Sequence, residues 1–303
     1  MSTVDTVKQE IVDFMQDFTI ETTPGSAAKI ADYREHLRPG TLVAVTFLPG
    51  SDFADTVKVA QRLRDEGFEP APHFAARSVP SKEAFEDYVK QVTQEAGVTH
   101  VVALAGGVGN PVGPFESSME LLETGVFDRN GITSIGVAGH PEGSPDISDE
   151  DIAAALKWKN SFAKRTDAKV YICTQFCFES DPIIAWDRMI QAEGNRLPIH
   201  LGVPGLATLK TLINFAKSSG VGNSIRFLTK QARQVTRLLT VNAPDQLVRE
   251  LARHRAHHPD CGITQVHMYP LGGMRRSAAW SYAVLDGEFE LTAKGFKLTR
   301  DIG

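Results

Sequence analysis

Residues 169–203 read KVYICTQFCFESDPIIAWDRMIQAEGNRLPIHLGV, and this stretch decides the fold class. It opens on a near-continuous apolar run, Lys169–Phe176, and closes on another, Pro198–Val203. Runs without polar alternation belong to strands buried on both faces. Between them, Ser180-Asp181-Pro182 supplies a helix start, since proline is tolerated in a first turn. Strand, helix, strand is the unit from which parallel sheets are built.

The same unit recurs on both sides. Upstream lie FTIETT (Phe18–Thr23), LVAVTF (Leu42–Phe47), PAPHFAA (Pro70–Ala76), HVVALAG (His100–Gly106) and ITSIGVAG (Ile132–Gly139); downstream lies ITQVHMY (Ile263–Tyr269). Helix punctuation separates them. The segment from Asp52 runs to Asp65-Glu66-Gly67, where glycine fits a C-terminal cap. Ser81, followed by Glu83 and Glu86, suits a helix N-terminus, and Ser148-Asp149-Glu150-Asp151 opens another. Alternating units allow a closed barrel or an open doubly wound sheet. Eight of them favour the barrel, and no G-x-G-x-x-G turn follows the first strand as an open dinucleotide-binding sheet would require. The expected fold is an α/β single-domain (β/α)8 barrel over residues 1–303, with an N-terminal helix and two extra helices within Asn223–Arg255, before the last strand. A barrel of this kind needs about 250 residues, which leaves room for both. The tail after Arg276, WSYAVLDGEFELT, reads either as strand–turn–strand or as a helix followed by extended chain.

Composition excludes several functions. Hydrophobic residues make up 42% and charged residues 23% of the 303, as in a globular protein with a sizeable core. The 32 basic and 37 acidic residues are interspersed, for a net charge of −5. That gives no electrostatic reason to expect nucleic acid or an anionic membrane as partner. The first residues, MSTVDTVKQEIVDFMQDF, are acidic and amphipathic, so no signal peptide is expected, and no apolar run is long enough to span a bilayer. Three cysteines (Cys173, Cys177, Cys261) form no disulfide framework and no C-x-x-C pair, which points to a reducing cytoplasm.

In a parallel barrel, catalytic groups project from the C-terminal strand ends. Here those ends carry Glu21, Thr22 and Thr23; Thr46; His73; Ala105-Gly106-Gly107; His140-Pro141-Glu142; Gln175; Gly202; and His267 with Tyr269. Glu21, His73 and Gln175 interrupt apolar context instead of following it. A buried carboxylate is costly without a partner or a proton, so Glu21 suits a general acid. The loop from Gly106 to Gly113 (GGVGNPVG) lets backbone approach a planar ring or a phosphate, but no Gly-Lys-Ser/Thr follows to make it a Walker motif. Cys173 and Cys177 share strand parity with Gln175 and read as buried structural thiols. His254, His257, His258 and Cys261 match no standard zinc spacing and read as the cationic end of a helix, so no metal is expected.

These residues, in order, resemble the methylenetetrahydrofolate reductase family. The matching pieces are Glu21 in FTIETTP, Thr46 in LVAVTF, Pro72-His73, Leu104-Ala105-Gly106, and His140-Pro141-Glu142-Gly143. Further along come Leu156-Lys157-Trp158-Lys159, Thr174-Gln175-Phe176 and His267-Met268-Tyr269. The resemblance covers roughly residues 15–272 and implies non-covalent FAD at the strand ends with a tetrahydrofolate stacked on the flavin. It makes Glu21 the general acid for opening the methylene bridge. It places Thr46, His73, Leu104, Ala105, Gly106, Gly107, Ala138, His140 and Ser144 around the FAD and Lys159 at its diphosphate. It gives the folate Gln175, Leu209 and Tyr269. Hydride transfer needs both rings face to face, and the cofactor carries that chemistry.

The chain also departs from the family pattern. Gly107 stands where an aspartate beside the flavin is usual, and Ala105 where an arginine is expected. His140 replaces a common tyrosine, Ser144 a histidine, and Leu209 a phenylalanine that stacks with substrate or nicotinamide. Losing a carboxylate beside the flavin favours the anionic reduced form. The resemblance therefore implies an altered electron donor, with NADH or NADPH use open, or operation from methyl- to methylene-tetrahydrofolate. The competing readings are a folate- or flavin-binding subunit without catalysis and a methyltransferase barrel. As partners the reading expects a tetrahydrofolate, and either a second copy of the chain or a partner subunit.

Overall fold

The β-branched runs become strands because their side chains pack on both faces of a sheet, and each lies within two residues of its expected place. In the computed structural model, which describes residues 3–145, 147–218 and 241–302, they are β1 Thr19–Thr22, β2 Leu42–Val45, β3 Glu69–Ala75, β4 His100–Leu104, β5 Ser134–Gly139, β6 Lys169–Phe176, β7 Ile199–Pro204 and β8 Ile263–Tyr269. They close in the order β1-β8-β7-β6-β5-β4-β3-β2, with β1–β2, β2–β3, β3–β4, β4–β5 and β7–β8 pairing in parallel. This is the (β/α)8 barrel expected from the sequence.

The chain packs as two compact units. One comprises residues 19–138 and 155–173. Its helices start where capping residues stand: Asp52 Oδ1 accepts from Ala54 N at 2.9 Å, and Ser81 Oγ from Ala84 N at 3.1 Å. Those side chains satisfy amides that helix geometry leaves unpaired. Helix Phe53–Asp65 carries Arg62, which pairs with Glu66 at 2.6 Å and donates to the carbonyls of Ala27, Ile30 and Ala31. The segment leaving β1 is thereby pinned. Helix Lys82–Ala96 ends at Gly97, left-handed at φ 57°, and packs Phe85 and Tyr88 against Phe74 of β3.

The other unit comprises residues 1–18, 139–154 and 174–303. Its N-terminal helix Thr3–Met15 buries Ile11, Phe14 and Met15 against helices Asp245–His257 and Met274–Leu285. The two-fold ambiguity of the tail resolves as helix Met274–Leu285 followed by a hairpin of Phe289–Leu291 with Phe296–Leu298. The WSYAVL composition suits a strand, but burial follows the helix, and Ser277 and Ser281 satisfy their hydroxyls on carbonyls four residues back. Of the two helices expected over Asn223–Arg255, the second is Asp245–His257, and residues 219–240 lie outside the described residues. A two-residue ladder of Ala207–Thr208 with Val241–Asn242 was not foreseen. No helix among the described residues is long and apolar enough to cross a membrane.

Candidate active site

Strand register decides which side chains face the barrel lumen. Thr22 Oγ1 accepts from Tyr33 Oη at 2.9 Å, and Phe74 packs on the outer helix, so these two point outward. Side chains alternate along a strand, which turns Glu21 and His73 inward. Register then carries the inward face across the sheet. Glu21 pairs with Ala44, Ala44 with Ala71, His73 with Val102, and Val102 with Gly136. Two residues on from Ala44, Val102 and Gly136, the same face holds Thr46, Leu104 and Ala138.

Each has a distinct environment. Glu21 is half-buried and its Oε2 is sealed from solvent. Thr46 lies just past β2, where its N–H extends the ladder to Thr22 O at 2.8 Å. Its Oγ1 is buried without a hydrogen-bond partner among the described residues. His73 is buried, and its carbonyl accepts from Tyr88 Oη at 3.3 Å. Tyr171 packs over Gly136 of this inward face: a Cβ at Gly136 would lie 2.8 Å from its ring. The glycine is what admits the ring.

The end of β4 is bare backbone. Gly106 sits at φ +91°, and a side chain there would come within 3.0 Å of Ala75 Cβ. Arg77 N–H holds the Ala105 carbonyl at 2.9 Å, and Gly113 is pressed on the carbonyls of Val79 and Pro80. Gly107 is exposed, with only Pro49 near, at 3.8 Å. Lys159, on helix Asp149–Phe162, is buried and donates from Nζ to Ala138 O at 2.8 Å. Burial brings its ammonium down to about 8.

The remaining predicted residues lie in the other unit. His140, half-buried, opens a turn whose carbonyl accepts from Gly143 N at 3.1 Å, and Ser144 follows, also half-buried. Gln175 is half-buried, its Oε1 accepting from Phe176 N at 3.2 Å. Tyr269 donates from Oη to Thr174 O at 2.9 Å and stands edge-on to Phe176 and His267. Leu209 is buried in a cluster with Phe176, Ala207, Leu212 and Ala216, so its surroundings are core packing. Cys177 is buried, its Sγ 3.5 Å from Gln175 O, and burial pushes the thiol well up.

Two residues, Tyr171 and His200, escaped the sequence reading, and Gly202 was read there only as a strand end. Tyr171 looked like one more apolar strand residue. Gly202 packs on β6 so closely that a Cβ would lie 2.7 Å from the carbonyls of Thr174 and Gln175, and its N–H bonds Thr174 Oγ1 at 2.9 Å. His200 on β7 is driven down to about 3, first by burial and then by repulsion from His267. Its place inside an apolar run was the available signal.

The chain matches the sequence family described as methylenetetrahydrofolate reductase over residues 27–271. It is 25% identical over 205 residues to methylenetetrahydrofolate reductase 2 of Saccharomyces cerevisiae, covering 65% of this chain and 32% of that protein. To methylenetetrahydrofolate reductase 1 of Schizosaccharomyces pombe it is 32% identical over 143 residues, covering 45% and 22%. To methylenetetrahydrofolate reductase (NADH) 1 of Arabidopsis thaliana it is 26% identical over 255 residues, covering 76% and 41%. The chain thus spans less than half the length of these relatives. Among solved structures, an uncharacterized protein from Clostridium thermocellum that binds two copies of 5-methyl-5,6,7,8-tetrahydrofolic acid superposes with a TM-score of 0.54. That match covers 91% of this chain and 97% of the other; at 11% identity the likeness is one of fold.

Proposed function

The chain belongs to the methylenetetrahydrofolate reductase family, and from that premise we propose that it is an oxidoreductase interconverting 5,10-methylene- and 5-methyltetrahydrofolate. The observation that carries this reading is the shared inward face of Glu21, Thr46, His73, Leu104 and Ala138. It sets a carboxyl group, a hydroxyl and an imidazole at the C-terminal strand ends, where barrel enzymes place their chemistry.

The residues at the ends of β2 to β5 fit the ring end of FAD. The buried Thr46 Oγ1 lacks a partner that a flavin edge would supply, and the bare backbone at Gly106 admits a flat ring. Leu104, Ala105 and Gly107 belong to that same strand end, and the family resemblance adds His140 and Ser144 to the FAD residues. Lys159 carries the charge for the diphosphate and is held meanwhile on Ala138 O. Bound FAD supplies the hydride chemistry. In the reductive direction, Glu21 gives its proton to the folate amine that leaves as the methylene bridge opens, and in the oxidative direction it takes that proton back. Gln175 and Tyr269 orient the folate, and the buried cluster that holds Leu209 backs Tyr269. His73 lines the flavin from the inward face, and Tyr171, packed over Gly136, fills the space beside it.

Gly107 and Ala105 leave the end of β4 without charge. A flavin there lacks a neighbouring carboxylate that would oppose its reduced anion. We therefore assign the oxidative direction, or an altered electron donor with NADH or NADPH use open. NADH, named for the Arabidopsis relative, is the first donor to try.

The test is the visible spectrum of the purified chain loaded with FAD, recorded anaerobically before and after adding 5-methyltetrahydrofolate. Bleaching of the flavin band is the expected result. A protein that takes up no FAD on titration sinks the flavin assignment. One that binds FAD and folate without bleaching, in either direction and with any donor, is a binding subunit.

A further inference from the structure

The histidines and cysteine before β8 look, in sequence, like the cationic end of a helix. The fold brings them a carboxylate from another element. Helix Ser180–Ala192 presents Asp187, helix Asp245–His257 presents His254, and Cys261 lies in the loop leading into β8. One ligating atom from each lies within 4.8 Å of the other two.

Two of the three residues are buried and Cys261 is half-buried. Asp187 is 1% and His254 5% exposed. His254 Nε2 stands 3.5 Å from Asp187 Oδ2, sealed from solvent and without a hydrogen-bond partner among the described residues. Asp187 Oδ1 is already occupied, accepting from Gln191 Nε2 and Gly262 N–H at 3.1 Å each, which turns Oδ2 toward the cluster. A side chain at Gly262 would push the Gln191 amide off Asp187. A Cβ would lie 2.1 Å from Gln191 Nε2 and 3.1 Å from Asp187 Oδ1. Its carbonyl accepts from Ile199 N at 2.8 Å, so the segment presenting Cys261 is tied to β7. His258 is engaged elsewhere, through Arg188 Nη2 at 3.0 Å and His254 O at 2.8 Å.

We propose that Asp187, His254 and Cys261 form a zinc site in the helix layer at the N-terminal end of β8. Oxygen, nitrogen and sulfur donors together suit a borderline-soft divalent ion, and zinc accepts all three in tetrahedral geometry. Carboxylate and thiolate cancel the ion's charge, so a neutral complex is buried. A water completes the fourth position. Burial and the Asp187 charge hold the metal-free thiol up near 12, so binding expels the Cys261 proton to solvent as the sulfur–metal bond forms. The site lies roughly 20 Å along β8 from Tyr269, at the end of the barrel that serves stability. Its role is to clamp the two helices to the start of β8.

The whole chain, stripped with chelator and titrated with Co²⁺, tests this. We expect a thiolate-to-cobalt charge-transfer band saturating at one equivalent, bleached by Zn²⁺, together with a higher unfolding temperature in Zn²⁺. Cys261→Ser should abolish the band, His254→Ala should weaken cobalt binding at least tenfold, and Cys173→Ser should leave it intact. Absence of the band, or a band that survives in Cys261→Ser, overturns the site. A measurement on the unaltered chain covers the case of a variant that does not fold. Zn²⁺ should protect Cys261 from iodoacetamide, read by mass spectrometry, and equal alkylation with and without Zn²⁺ overturns the proposal as well.

Discussion

Lys159 Nζ donates a 2.8 Å hydrogen bond to the carbonyl oxygen of Ala138, and the ammonium that makes it is buried. Ala138 ends the inward face that begins at Glu21, so a cation is stored beside the ring of candidate active-site residues. Holding it there has a cost, visible as the depression of its pKa to about 8. A lysine buried for stability alone would be better replaced by an apolar side chain. Its retention fits a use for the charge, which the proposed diphosphate contact supplies.

That cost is measurable. A lowered lysine pKa means that the unfolded chain binds more protons between about 8 and 10.5, so the stability of the natural chain rises with pH across that window. A depression of this size corresponds to about 3 kcal/mol, against about 1 kcal/mol for the bond to Ala138. Lys159→Met should therefore be more stable by about 2 kcal/mol at pH 7, with the advantage gone by pH 10.5. Urea unfolding of both proteins at the two pH values checks this. An advantage independent of pH would mean that the ammonium is not the source. The same variant should take up FAD more weakly.

Glu21→Gln separates catalysis from binding. The amide keeps the shape and the inward position of the side chain but cannot deliver a proton. Turnover should fall by about 10²–10⁴-fold, the usual worth of a positioned acid. Affinity for 5-methyltetrahydrofolate, measured by calorimetry, should change only a few-fold. Unchanged turnover would remove Glu21 from the chemistry.

The glycine loop divides into residues that need to be glycine and residues that do not. Gly106 combines φ +91° with a Cβ clash against Ala75, whereas nothing lies within 4 Å of a Cβ at Gly109. Gly106→Ala should cost about 1–3 kcal/mol and weaken FAD uptake. Gly109→Ala should stay within about 0.5 kcal/mol of the natural chain. Thermal unfolding and FAD titration of the pair make the comparison, and equal effects would contradict the geometry.

The barrel was legible because burial on both faces forces β-branched runs, and few other folds need eight of them. Glu21, His73 and Gln175 were legible because a polar group inside such a run is conspicuous. Contacts between distant elements were not. Nothing in KVYICTQF shows that Tyr171 must lie over Gly136, and nothing around His254 shows that Asp187 arrives from another helix. The tail was ambiguous for a different reason. WSYAVL has the composition of a strand, and only its packing against the N-terminal helix and against Phe18, whose ring lies 5.1 Å from that of Tyr282, makes it a helix.

His200 supplies the acid-side counterpart to Lys159. Burial, with His267 beside it, lowers this imidazole to about 3, so the folded protein holds it neutral while the unfolded chain takes up a proton below about 6.5. The unfolded state then binds more protons, and stability is lost progressively as the pH falls from 6.5 toward 3. Between pH 7 and pH 5 this one group should account for about 2 kcal/mol of lost stability. His200→Asn removes the titrating ring and keeps a polar side chain of similar reach. The variant should be less stable at pH 7, through the altered packing, yet lose about 2 kcal/mol less than the natural chain on going to pH 5. Unfolding free energies at the two pH values give the difference directly. Parallel losses in the two proteins would place the acid sensitivity in other groups.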